Sequence, residues 1–130
     1  MIFYKVLGVE SEVEVEFIEL YEGQPLFGEL CKFMTQNDFE FFDVVVEYRY
    51  GRKNLNRKGQ LAFADALFLR PPEYIKNKYQ SSYLSLDKVV KYIQICFVYQ
   101  KFDLIKVISD YFDDNEIITA EVERLLRNEI

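Results

Sequence analysis

Four glutamates stand at every second position between Glu10 and Glu16, as Glu10, Glu12, Glu14 and Glu16, with Ser11, Val13 and Val15 between them and Phe17 after them. Period two is the signature of a strand with one wet and one buried face. Side chains two apart on a strand lie about 6.5–7 Å from each other on the same side. Such a row is negative along its length and repels itself. Carboxylates can transfer protons, bind a hard cation or attract a cationic surface. A straight row does not converge as the oxygen ligands of a metal must. It either solvates a sheet face and discourages edge-to-edge pairing, or it presents negative charge to a basic partner.

Most other chemistry is closed to this chain. It contains no histidine, so Ser-His-Asp and Cys-His catalysis and His-containing zinc sites are excluded. Its two cysteines, Cys31 and Cys96, cannot form a Cys₄ site or a disulfide framework, and they read as buried reduced thiols. No catalytic residue, metal site or cofactor is expected. Carboxylate, lysine or tyrosine chemistry and an oxygen-ligand metal site stay open, but catalysis by carboxylates or tyrosines, as on Glu40, Asp43 or Glu47, ranks well below binding, because nothing in the spacing makes two carboxylates converge.

The net charge of −6 is unevenly spread: −8 over residues 1–50, +5 over 51–80 and −3 over 81–130. The positive segment includes Arg52, Lys53, Arg57 and Lys58 in a polar connector. That connector matches no phosphate-cradling glycine pattern and reads as a solvated loop. Glu19, just after the glutamate row, extends the acidic surface. Tyr48 and Tyr50 offer rigid contact area with a polar tip, as tyrosine does at interfaces. Tyr74, Tyr79, Tyr83 and Tyr99 are similar, though each taken singly reads as a partly buried core tyrosine.

The elements that position these groups follow from periodicity and punctuation. Residues 2–9 form a β-rich run that pairs with 10–17 as an N-terminal hairpin, with Glu10-Ser11 as its turn. Pro25 suits a first helical position, and Leu26, Phe27, Leu30, Phe33 and Met34 then share one helical face up to the stop at Asn37-Asp38. Residues 39–50, apolar on both faces at Val44-Val45-Val46, read as an interior strand. Residues 60–69 are read as a strand paired with 39–50, with a helix as the competing reading.

Residues 71–82 look irregular. A helix begins near Asp87 as N-cap and carries Val89, Val90, Ile93, Cys96 and Phe97 on one face. A strand over 92–99 competes with it. Leu104, Ile105, Ile108, Tyr111 and Phe112 form a second stripe, with no Gly or Pro before it, so one long kinked helix is compatible. Glu116 to Asn128 is a last helix, with Ile118, Val122, Leu125 and Leu126 inward.

The fold expected is α+β: an antiparallel or mixed β-sheet, made of an N-terminal hairpin plus central strands, with one inserted helix and a helical C-terminal segment, in a single domain over 1–130. No segment reaches the length of an apolar membrane span, and residues 1–9 lack the features of a signal peptide. These points lead to a cytoplasmic location without membrane association.

The function expected is non-catalytic binding or inhibition of a basic protein partner through Glu10, Glu12, Glu14, Glu16, Glu19, Tyr48 and Tyr50. An immunity protein that neutralises a nuclease-type bacterial toxin is the specific case. A subunit of a cytosolic assembly and a phage-type nucleic-acid mimic are the alternatives. Direct nucleic-acid binding is disfavoured by the acidic charge, and homo-oligomerisation is compatible with all of them.

Overall fold

The computed structural model describes residues 8, 10–53 and 59–127. The chain divides into two compact units, Met1–Arg70 and Pro71–Ile130. Strands occur in the first and helices in both, an α+β fold.

The first unit holds β1 (Glu10–Glu16), α1 (Phe27–Gln36), β2 (Glu40–Tyr50) and β3 (Gln60–Leu69). The sheet is antiparallel in the order β1-β3-β2. The 60–69 segment is thus a strand, and it pairs with β2 as expected. Two expectations are corrected. Glu10 and Ser11 belong to β1, opposite Leu69 and Phe68, and are no turn. The apolar triplet of β2 does not make it an interior strand. Among the described strands β3 takes the centre and β2 the border, with Val45 and Val46 each 41% exposed. Bulges at Phe42 and Val45 let β2 carry that apolar run at an edge, where extra residues twist the strand and discourage further pairing. Residues 2–7 and 9, the other half of the expected hairpin, lie outside the described residues.

One sheet face makes the core of this unit. Val13 opposes Ala66 and Val15 opposes Ala64, so both pairs point the same way. Val15, Ala64, Ala66, Phe68, Met34 and Phe39 are buried together, with Val13, Phe17, Phe27, Leu30, Cys31 and Val44 packed around them. α1 supplies Met34, Leu30 and Phe27 at helical spacing. Phe33, expected on that face, is 43% exposed instead. Pro25 precedes the N-cap, Leu26, whose N–H donates to Glu29 Oε1 at 3.2 Å in one half of a capping box.

The second unit is helical: α2 (Pro72–Gln80), α3 (Leu86–Val98), α4 (Phe102–Tyr111) and α5 (Glu116–Leu126). The stretch expected to be irregular is a helix, started by Pro72 in the first turn, where a missing N–H costs nothing. Ser85, rather than Asp87, caps α3, its Oγ accepting from the Lys88 N–H at 3.4 Å. The helical reading of 92–99 holds, and α3 and α4 are two helices. Val89, Ile93, Cys96, Leu104, Ile105, Ile108, Phe112, Ile118 and Val122 are buried as their spacing requires, joined by Tyr92. Leu125 and Leu126 are half-buried. No described helix is long and apolar enough to cross a membrane.

Candidate functional site: the acidic and aromatic sheet face

The sheet face opposite the α1 core is set by the same register. Glu12 opposes Leu67, Glu14 opposes Asp65, and Glu16 opposes Phe63. On the other side of β3, Asp43 opposes Leu67, Val46 opposes Asp65, and Tyr48 opposes Phe63. Directly opposed residues share a side, with Cβ atoms about 4.5–5.5 Å apart. Two rows therefore cross all three strands: Glu14–Asp65–Val46, and Glu16–Phe63–Tyr48.

The first row is negative in the middle of the sheet as well as at its edge. Among the described residues, no lysine or arginine forms an ion pair with Glu14, Glu16 or Asp65. Glu12 and Glu14 are exposed and Glu16 is half-buried. Burial is the largest cause that pushes the Glu16 carboxyl up to about 7, followed by its hydrogen bond with Glu14 and the Glu14 charge. The self-repulsion expected of the row is thus expressed at Glu16, whose neutral form is favoured.

The second row is aromatic. The Tyr48 and Phe63 rings stack with centroids 4.5 Å apart and planes at 13°. Tyr48 remains 40% exposed and Tyr50 52%. Strand alternation puts Tyr50 on the same face two residues on. Arg52 approaches it, the guanidinium carbon 6.0 Å from the ring centroid, and also donates to Gln60 Oε1 at 3.3 Å.

The structure brings Glu12, Glu14, Glu16, Tyr48 and Tyr50 onto one face. Glu10 holds the first position of β1 in the same phase. Glu19 does not join them: the chain leaves the strand after Glu16, where the Phe17 and Ile18 N–H groups both reach the Ala62 carbonyl at 2.8 and 3.4 Å. Glu19 is exposed in the turn beyond. Asp65 and Phe63 were not singled out from sequence, though a lone charge within Ala-Phe-Ala-Asp-Ala-Leu is the mark of a wet face on an otherwise apolar strand. Of the basic connector, Arg57 and Lys58 lie outside the described residues, and Lys53 is exposed.

Elsewhere the polar groups have local roles. Glu47 points to the α1 side, opposite Ala64, and holds Arg49 at 2.9 Å. It does not converge with Asp43, which accepts from the Val44 N–H at 2.8 Å. Lys78 lies over Tyr74 and Tyr83 at 5.4 and 5.3 Å, and Lys76 over Tyr111 at 4.6 Å. Tyr79 meets Phe112 edge-on, 5.1 Å between centroids. The Cys96 thiol, fully buried, is pushed up to about 12 mainly by burial, so it stays protonated and unreactive. No group of three acidic or cysteine side chains suited to a metal occurs among the described residues. The chain matches no protein-family model, no curated protein and no solved structure, so function is read from its own residues.

Proposed function

We propose that the chain is a non-catalytic binding protein whose acidic sheet face meets a basic protein partner. The observation that carries the reading is the Glu14–Asp65 register. It places a carboxylate of β3 beside Glu14 of the β1 row, and among the described residues no lysine or arginine pairs with Glu14, Glu16 or Asp65. Clustered charge of one sign costs stability within the fold and favours encounter rate and partner choice.

The specific reading is an immunity protein that neutralises a nuclease-type bacterial toxin. A nuclease cleft must be positive to hold nucleic acid. A small acidic chain that covers such a cleft needs speed and complementarity, and no chemistry of its own. In this reading the protein works in the cytoplasm, where such a toxin would act.

The test is stopped-flow association with a basic nuclease domain encoded beside this gene, over a range of salt. The association rate should fall steeply as salt rises. Converting Glu12, Glu14 and Glu16 together to glutamine should slow association about tenfold or more at low salt. A rate insensitive to both salt and the triple substitution would remove this face from the interaction.

A further inference from the structure

The exposed end of the face is not uniformly charged. Glu14, Glu16 and Asp65 lie beside the stacked Tyr48–Phe63 pair, and Val46, 41% exposed, fills the corner between the two rows. A plain ammonium has little use for that aromatic shelf, because it is compact and strongly hydrated. A guanidinium is planar and weakly hydrated. It can lie on a ring while its forked N–H groups reach carboxylates beside it.

The register sets the reach. Glu16 directly opposes Phe63, and Glu14 opposes Asp65 one step along the strand. Phe63 is then about one strand spacing, roughly 5 Å, from the Glu16 position of β1, and Tyr48 about two. The chain's own Arg52, near Tyr50 on the same face, is an internal instance of the same attraction at longer range.

We infer that this face is an arginine-selective docking site, in which an arginine side chain of the basic partner lies against the stacked Tyr48–Phe63 pair while Glu14, Glu16 and Asp65 take up its charge. This rests on the acidic-face reading above and adds to it the identity of the cation.

The experiment compares two short peptides by fluorescence anisotropy at low and at physiological salt. One alternates arginine with serine, the other lysine with serine. The full chain should bind the arginine peptide about fivefold more tightly than the lysine peptide. Tyr48→Leu should bring arginine-peptide binding down to that of the lysine peptide, and Tyr48→Phe should keep the preference. Glu14→Gln should weaken binding of both. Tyr48 is half exposed on an edge strand, and circular dichroism checks that each variant is folded.

Equal, salt-dependent binding of both peptides would overturn the arginine site and leave the acidic-face reading standing. A preference that survives Tyr48→Leu would overturn it as well. Binding of neither peptide at low salt would overturn both. Self-association abolished by Tyr48→Leu would assign the face to a second copy of the chain and overturn the inference.

Discussion

Glu14 and Glu16, two residues apart on β1, share a hydrogen bond, and the Glu16 carboxyl is held up to about 7. Burial of Glu16 is the first cause, followed by the hydrogen bond with Glu14 and its charge, and all three favour the neutral Glu16 carboxyl.

Stability should therefore depend on pH in a defined window. Glu16 ordinarily titrates near 4.5, and its folded value is higher. Between the two, the folded state binds more protons than the unfolded one, so stability falls as pH rises from about 4.5 to about 7. Solvent screening at this half-buried site reduces the effect to about 1 kcal/mol. Glu16→Gln should leave stability nearly unchanged at pH 4 and raise it by about that amount at pH 7.5. Urea unfolding of both proteins across this range checks it. Identical pH profiles would show that the pair holds no extra proton.

Arg70 closes β3 on the first unit's core. It is 5% exposed, its guanidinium carbon lies 4.0 Å from the Phe39 ring centroid, and it donates to the carbonyls of Asn37 at 2.6 Å and Gly8 at 3.0 Å. These contacts tie the end of α1 and the approach to β1 to the central strand. Arg70→Ala should cost about 2–4 kcal/mol, from two charge-assisted hydrogen bonds, the ring contact and the cavity left behind. Arg70→Lys should recover only part of it, since an ammonium cannot both stack and fork. Guanidinium unfolding midpoints measure both, and a loss below about 0.5 kcal/mol for Arg70→Ala would deny the clamp.

Much of this architecture was legible in the sequence because burial writes a period. The Glu10–Phe17 alternation and the stripes of α4 and α5 each follow from one buried face. Asp65 and Phe63 were missed for a different reason. Which residue faces which across a sheet depends on register, and no local pattern in β3 reveals that β1 lies alongside. The same holds for the place of β2. Val44-Val45-Val46 has the composition of an interior strand, yet the bulges at Phe42 and Val45 let an edge carry it. The stop at Asn37-Asp38 was legible, but those of α2 and α3 were hidden because they lack the usual residue. α1, α2 and α3 each end with a left-handed residue that is not glycine: Asp38, Ser82 and Gln100, at φ 67°, 64° and 60°.

The break between α3 and α4 shows what those stops cost. The Lys101 N–H reaches the Cys96 carbonyl at 2.7 Å and the Gln100 N–H reaches the Phe97 carbonyl at 3.0 Å. This is the paired hydrogen bonding of a Schellman end, whose left-handed position favours glycine. An L-residue there is disfavoured by about 1–2 kcal/mol, against which glycine loses about 0.4–1 kcal/mol through the freedom of the unfolded chain. Gln100 is exposed, so its side chain has little packing to forfeit. Gln100→Gly should therefore stabilise the protein by about 0.5 kcal/mol, while Gln100→Val, β-branched and ill-suited to positive φ, should destabilise it by about 1 kcal/mol. Thermal unfolding of the two variants beside the parent chain decides it. A glycine that destabilises, or a valine that is neutral, would mean that the α3–α4 turn is not held in this left-handed conformation.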